Sequence, residues 1–162
     1  MTVKRRPLLY IETSVFGFYH DEEHRNALRR EAVRELFRQV EMGFLDAATS
    51  PATSRELAAS KEPLRARVLG SLAAVQPLRA DEGEVRRLAE AYIKDGVMPP
   101  TEHLDAIHAA CATVGRTEII VSLNIKHLAN AWAERRLNAV NLREGYPIVS
   151  VRTPEQAVRY ED

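Results

Sequence analysis

The strongest indication of the fold is the stretch Leu8-Leu9-Tyr10-Ile11-Glu12-Thr13-Ser14. Its apolar half suits a short buried strand, and that strand ends on a carboxylate followed by hydroxyl groups. Glu is depleted in strands, and a carboxylate at the rim of a core is costly unless something pairs with it. The stretch therefore predicts a buried strand whose end presents Glu12 to a polar partner.

Two further apolar runs also include or end on a polar residue. Leu104-Asp105-Ala106-Ile107-His108 carries an acid, and Ile119-Ile120-Val121-Ser122-Leu123-Asn124 carries an amide. Runs of this length suit buried strands or a core-facing helix. Glu12 and Asp105 are therefore the first candidates for a metal site.

Short strands alternate with helices along the chain. Strands are predicted at 8–11, 44–49, 119–122 and 147–151. Helices are predicted at 26–42, 51–60, 63–70, 82–93, 101–115 and 127–137, with a last helix opening at 153. This alternation predicts an α/β fold in which helices cover both faces of a parallel sheet. No internal repeat, linker or low-complexity tract interrupts it, so residues 1–162 are predicted to form a single domain.

Local signals support several of these helices. Ser50-Pro51 is a typical helix start, and Asp81 with Glu84 resembles a capping box. Thr153-Pro154-Glu155-Gln156 is a second capping box. The helix after Thr101 carries an apolar stripe that we expect to be its buried face, formed by Leu104, Ile107, Cys111 and Val114.

The composition is that of a globular protein, with 45% apolar residues and 23 basic residues that balance 23 acidic ones. Zero net charge excludes a strongly basic coat for nucleic acid, although a local basic patch is enough to bind it. The single cysteine, Cys111, excludes an internal disulfide and suits a reducing cytosol.

The basic start of the chain, Met1–Arg6, does not predict a signal sequence. Glu12 interrupts the apolar stretch that follows it, and no small-residue cleavage site appears. No stretch approaches the apolar length that spans a bilayer. We therefore expect a cytoplasmic protein with no membrane partner.

The polar residues that follow the apolar runs can meet at one edge of the predicted sheet. In an open parallel sheet, ligands bind outside the carboxyl ends of the strands. Glu12 and Asn124 follow two such strands, and Glu56 and Asp105 lie near the starts of helices. Like charges gathered there repel unless a cation neutralises them, and Mg²⁺ or Mn²⁺ prefers an all-oxygen set of ligands. Such a site supports phosphodiester hydrolysis.

At these residues the chain resembles the PIN-domain family of metal-dependent nucleases, which includes the VapC-type toxins of toxin–antitoxin pairs. The segments that carry the resemblance are Tyr10-Ile11-Glu12-Thr13-Ser14-Val15, Glu56-Leu57, Leu104-Asp105-Ala106-Ile107-His108-Ala109-Ala110 and Val121-Ser122-Leu123-Asn124. They keep their order over residues 8–152, and the ordered set is more specific than any one segment. The tail Asn141–Tyr146, with Thr153-Pro154-Glu155 after it, is similar to a bacterial subgroup of PIN proteins.

The resemblance implies a three-layer α/β/α sandwich with a central parallel sheet, a Mg²⁺ or Mn²⁺ site, and single-stranded RNA as the usual substrate. It also implies products with a 5′-phosphate and a 3′-hydroxyl. The family's four acidic positions fall, in order, on Glu12, Glu56, Asp105 and Asn124. The small hydroxyl group beside the first acid falls on Thr13 or Ser14.

Two of these positions depart from the family pattern. The usual first acid is Asp, and Glu12 is one methylene longer, which shifts the ion or inserts a water. The usual fourth acid is also Asp, and the neutral Asn124 removes one negative charge and weakens metal binding. Since Asn still offers a carbonyl oxygen, the sequence favours a one-metal site over a two-metal site.

Each candidate also has a purely structural interpretation. Glu12 fits a strand-end residue that hydrogen-bonds nearby backbone, and Asn124 fits a turn after a strand. Glu56 fits a local capping box, and Asp105 fits a first-turn acid that favours its own helix dipole. The hydroxyl residues after Glu12 are typical helix caps. For Asp105, its place beside an apolar stripe favours the functional interpretation.

The histidines and the cysteine carry less information. His20 and His24 could share a helix face, but no Cys or third His completes a zinc set, so we expect no zinc. His108 lies one turn after Asp105 and is expected to pack or hydrogen-bond there. Cys111 is expected in the core without reactive character.

Two functional hypotheses follow from the sequence. The first is a Mg²⁺/Mn²⁺-dependent endoribonuclease, in which Glu12, Asp105 and Glu56 hold the ion. Asn124 assists them directly or through water, and Glu56 also orients the attacking water. The second is a catalytically weakened PIN module that binds RNA or a protein, motivated by the departures at positions 12 and 124. The cations best placed to hold an RNA backbone are Lys126, Arg135 and Arg136. The resemblance also implies a homodimer, which the apolar helices could support, and a toxin role would require a small antitoxin encoded next door.

Overall fold

The central strand of the structure is β1 (Leu8–Ile11), which confirms the strand predicted at 8–11. β1 lies between β2 (Asp46–Thr49) and β4 (Ile119–Val121), and both strands pair with it in parallel. β3 (Gln76–Pro77) extends the sheet beyond β2, and β5 (Ser150–Arg152) extends it beyond β4. The sheet therefore has the order β3-β2-β1-β4-β5 and is parallel throughout.

The computed structural model describes residues 5–160. Residues 1–4 and 161–162 lie outside this range, so the prediction about the basic start of the chain falls mostly outside the described residues. The helices are α1 (Thr13–Tyr19), α2 (Ala27–Glu41), α3 (Pro51–Ala58), α4 (Leu64–Ser71), α5 (Glu82–Lys94), α6 (His103–Val114), α7 (Ala131–Arg143) and α8 (Pro154–Ala157). Of the helices in the described range, none has the length and apolar content needed to cross a bilayer.

Side chains of β1 alternate between the two faces of the sheet. Leu9 and Ile11 belong to a buried cluster that includes Leu36 of α2 and residues of α1, α3, α4 and α8. Tyr10 faces the other way, into a cluster that includes Leu88 of α5 and residues of α6 and α7. Because helices bury both faces, the prediction of a three-layer α/β/α sandwich with a central parallel sheet is confirmed.

The buried face of α6 differs from the stripe of large side chains predicted for it. Leu104, the first member of that stripe, is 43% exposed, and Ile107 and Val114 are only partly buried. The residues of α6 with no exposed surface are mostly small ones, namely Ala106, Ala109, Ala110 and Ala112. Small side chains allow α6 to approach the sheet and α5 closely, so most of the helix is buried. Only Cys111 is buried as predicted.

Helix α7 begins four residues later than the helix predicted at 127–137, and it continues to Arg143. The side-chain oxygen of Asn130 accepts a hydrogen bond from the N–H of Ala133 at 2.9 Å and caps the helix. The preceding residues 125–128 form turns instead. The predicted start was wrong because a preferred N-cap residue, Asn130, sits inside the apolar pattern.

Two further differences concern the edges of the sheet. β3 was not predicted, since its two residues, Gln76 and Pro77, are exposed and form no apolar run. The last strand was predicted at 147–151 and begins instead at Ser150. The reason is visible at Val149, whose N–H donates to a side chain of α7 rather than to the sheet.

Of the two predicted capping boxes, the one at the start of α5 is half formed and the one at the start of α8 is complete. Asp81 caps α5, and its side chain accepts a hydrogen bond from the N–H of Glu84 at 2.9 Å. The reciprocal bond is replaced, because the Glu84 carboxylate accepts from the hydroxyl of Tyr146 at 2.8 Å. At α8 the box is complete between Thr153 and Gln156.

Replacing Asp81 with Ala is expected to lower the free energy of unfolding by about 1 kcal/mol. The N–H of Glu84 would lose its acceptor at the start of α5. Asp81→Ser keeps a capping oxygen, so we expect it to lose less than about 0.5 kcal/mol. Urea titration of both variants measures the difference, and equal losses would show that the side chain does not act as a cap.

Candidate active site

Glu12 lies at the carboxyl end of β1 and begins helix α1. Its Oε2 atom accepts hydrogen bonds from the N–H of Ser14 at 3.0 Å and from the Ser14 hydroxyl, and so caps the helix. The hydroxyl of Ser122, which follows β4, donates to the same oxygen at 3.2 Å. Glu12 is only 6% exposed. The structural interpretation of Glu12 is therefore observed, but it uses only one of the two carboxylate oxygens.

Asp105 lies in the first turn of α6 and is 8% exposed. The side-chain amide of Asn124 donates a hydrogen bond to Asp105 Oδ2 at 2.8 Å. Burial, followed by the charges of Glu12 and Glu102, raises the pKa of Asp105 to about 6, against the opposing effect of two histidines. Glu12 therefore lies near enough for its charge to disfavour ionisation of Asp105.

Asn124 joins these two acids through one hydrogen-bond network. Its N–H donates to the Ser122 hydroxyl at 3.0 Å, and Ser122 in turn donates to Glu12. The side-chain carbonyl of Asn124 accepts from the N–H of His127 at 3.2 Å. This last contact is the turn predicted as the structural interpretation of Asn124, while its amide group supports Asp105.

Each of the two acids keeps one oxygen outside this network. Within residues 5–160, no hydrogen bond reaches Oε1 of Glu12 or Oδ1 of Asp105. No fully buried side-chain oxygen or nitrogen in the same range lacks a partner, so both of these oxygens reach solvent. Two open carboxylate oxygens that repel each other fit a hard divalent cation, which prefers such ligands and relieves the repulsion.

Glu56 lies on α3 and belongs to a second group of polar residues, whose other members come from other elements. Its Oε1 lies 2.5 Å from Nε2 of His108. Burial raises the pKa of Glu56, but the hydrogen bond and charge of His108, with a smaller effect of Thr13, outweigh it and lower the pKa overall. The capping interpretation of Glu56 is not observed, because the N-cap of α3 is Ser50.

Tyr10 and His108 are the polar residues of the site whose roles the sequence did not reveal. The sequence predicts only that His108 packs or hydrogen-bonds near Asp105, and it places Tyr10 in an apolar strand. Their contact, 2.6 Å between the Tyr10 hydroxyl and Nδ1 of His108, is buried. Thr13, a predicted supporting residue, lies 3.4 Å from Nε2 of His108 through its hydroxyl group. The sequence signal for His108 is its place one turn after Asp105, whereas the sequence gives no signal for the role of Tyr10.

The cations predicted to hold the substrate lie on the surface. The three cations are Lys126, Arg135 and Arg136. All three are exposed, and none has an ion-pair partner in the described part of the chain. Arg135 lines a polar pocket of about 380 Å³ beside the end of β5, together with Asn130 and Arg152. Contact of the three predicted cations with RNA stays a prediction.

Across residues 5–160, no three His, Cys, Asp or Glu side chains form a group that could hold a metal ion by themselves. The side chains of Glu12 and Asp105 form one group with Asn124, and Glu56 forms the other with His108. The expectation that Glu56 shares one ion with the other two acids therefore stays a prediction. No family model matches the chain, and no curated protein matches it.

Proposed function

We propose that the protein is a PIN-like endoribonuclease that hydrolyses RNA with Mg²⁺ or Mn²⁺. The observation that carries this proposal is the pair of buried acids Glu12 and Asp105 at the carboxyl edge of a parallel sheet. Each acid has one oxygen open to solvent, and burial followed by the charge of Glu12 raises the pKa of Asp105. Ligands of open parallel sheets bind at this edge, and buried like charges with perturbed pKa values are typical of functional sites.

Distinct residues would carry the parts of the reaction. Glu12 and Asp105 would hold the ion through their open oxygens, and Asn124 would orient Asp105 through its amide group. When bound, Mg²⁺ or Mn²⁺ supplies charge neutralisation at the phosphate and lowers the pKa of a water molecule. Glu56, whose lowered pKa keeps it ionised, would orient this water and accept its proton. The exposed cations would hold the RNA backbone.

The test is cleavage of a single-stranded RNA by the purified protein with Mn²⁺, with Mg²⁺ and with EDTA. We expect cleavage with either ion, none in EDTA, and recovery when Mn²⁺ is added in excess. Glu12→Gln keeps the acceptor that caps α1 but removes the charge, so we expect it to reduce cleavage strongly. Glu41→Gln, on an exposed position at the end of α2, is the matched control. Cleavage that survives both EDTA and Glu12→Gln rejects the proposal.

One set of observations favours the second candidate, a weakened PIN module that binds RNA or a protein. Position 124 carries a neutral amide whose oxygen already accepts from His127, and no three-residue metal group is found among the described residues. Calorimetry with Mn²⁺ separates the two candidates. Micromolar binding that Glu12→Gln weakens supports the nuclease, whereas RNA binding without metal binding supports the module.

The same proposal includes a cytoplasmic location, a homodimer and a small antitoxin. A groove of about 640 Å³ between α3, α5 and α6 supports the homodimer. Its floor is apolar. Its rim carries both signs of charge, from Glu82, Arg86, Glu90 and Lys94, which suits a second copy of the chain. The antitoxin can be sought in the neighbouring reading frame.

A further inference from the structure

A buried chain of hydrogen bonds ends on Glu56, and the roles proposed above leave its centre, His108, unused. His108 is 1% exposed. Its Nδ1 lies 2.6 Å from the hydroxyl of Tyr10, and its Nε2 lies 2.5 Å from the Glu56 carboxylate. The Tyr10 hydroxyl lies in turn 2.7 Å from the hydroxyl of Ser50. The chain thus runs from the end of β2, through β1 and α6, to the candidate site.

The imidazole of His108 is fixed from both sides. Tyr10 is fully buried in the central strand, and its ring meets the His108 ring edge-on at 5.8 Å between centroids. Because both ring nitrogens are engaged, the ring cannot turn without breaking a buried hydrogen bond, which costs about 1–3 kcal/mol. The position of Nε2 is therefore set by the sheet itself.

Glu56, in contrast, is held mainly by His108, with a smaller contribution from Thr13. Its side chain extends from a surface helix and is 29% exposed. A Glu side chain has several rotatable bonds, and ordering it costs up to about 2 kcal/mol. The carboxylate is ionised above its lowered pKa and can only accept hydrogen bonds, so Nε2 of His108 must be the donor.

We propose that His108 is a positioning residue that orients the Glu56 carboxylate toward the water that attacks RNA, with Tyr10 fixing its ring. The inference rests on the proposed nuclease function. It assigns Glu56 to the water rather than to the ion. Hydrogen-bond partners that orient the ligands of a metal site contribute about 10- to 100-fold to activity, and we expect an effect of the same order here.

Two substitutions of His108 separate this role from simple packing. The side-chain amide of Gln reaches about as far as Nε2 and can still donate to Glu56, whereas the shorter Asn places its amide near the Nδ1 position. We expect His108→Asn to lower kcat for Mn²⁺-dependent cleavage by about 10- to 100-fold, with the KM for RNA nearly unchanged. His108→Gln is expected to restore most of kcat. His24→Gln, at an exposed histidine in the turn before α2, controls for the loss of a histidine.

A double-mutant cycle with Glu56→Gln completes the test. If His108 acts through Glu56, His108→Asn causes no further loss in the Glu56→Gln background. Losses that multiply, equal losses in the Asn and Gln variants, or a change confined to KM each overturn the inference. Thermal unfolding of every variant shows which losses come from an unfolded fraction.

Failure of the nuclease proposal gives a different result. In that case the wild type shows no metal-dependent cleavage, and the contact is tested by the ¹⁵N and ¹H resonances of the His108 side chain. A displaced Nε2–H resonance in Glu56→Gln supports the anchoring of Glu56, and an unchanged resonance overturns it. Active wild type with an unaffected His108→Asn variant rejects the positioning role alone.

Discussion

Replacing Asp105 with Asn is expected to lower kcat/KM for Mn²⁺-dependent RNA cleavage by about 1,000-fold, which corresponds to about 4 kcal/mol of transition-state stabilisation. Asp105 supplies one of the two open carboxylate oxygens at the edge of the sheet. Asn has the same size, and its carbonyl oxygen can still accept from Asn124. The substitution therefore removes the charge with little change in packing.

Calorimetry measures the same loss without turnover. We expect Asp105→Asn to bind Mn²⁺ far more weakly than the wild type, and we expect Glu41→Gln, which removes one exposed charge, to bind as the wild type does. Circular dichroism checks that both variants are folded. Cleavage within about tenfold of wild type, with unchanged Mn²⁺ affinity, would show that Asp105 holds no ion.

The meeting of Glu12, Asp105 and Asn124 could be predicted because it depends on topology. Continuous apolar runs marked β1 and β4 as buried strands of one parallel sheet, and such strands end at a common edge. The acid and the amide that follow these runs are joined in the structure through Ser122. Asp105 reaches the same edge because it lies in the first turn of α6.

The group around His108 could not be predicted because its members come from four separate elements. Tyr10 looks like any apolar strand residue in the sequence, and only the face of the sheet that it occupies brings it to His108. The error in α6 has a related cause. Periodicity gave weight to large side chains such as Leu104, whereas the close packing of α6 uses alanines that the pattern treats as neutral.

The charge that suits Asp105 to bind a cation should also destabilise the metal-free protein. Its pKa is raised from 3.8 to about 6, chiefly by burial and then by the charge of Glu12. The folded state therefore holds this proton more tightly than the unfolded state does. Between pH 4 and pH 6 the unfolded chain releases the proton first, so the free energy of unfolding falls as the pH rises. Above pH 6 the folded protein has also released the proton, and the free energy of unfolding falls no further from this group.

Asp105→Asn has no proton to lose and should escape this penalty. In EDTA, we expect the variant to match the wild type near pH 4 and to exceed its free energy of unfolding by about 2–3 kcal/mol at pH 7.5. The difference between the two proteins isolates Asp105, because Glu56, whose pKa is lowered, titrates in both and acts in the opposite sense.

Urea titrations at the two pH values measure the effect, and Mn²⁺ reverses it. An ion that binds only the folded wild type raises its stability by RT ln(1 + [Mn²⁺]/Kd), which is about 2.7 kcal/mol at a hundredfold excess over Kd. The variant should gain almost nothing. The decisive quantity is the free energy of unfolding of Asp105→Asn minus that of the wild type. If this difference is no larger at pH 7.5 than at pH 4, Asp105 carries no buried repulsion, and the electrostatic reason for a cation at this edge is lost.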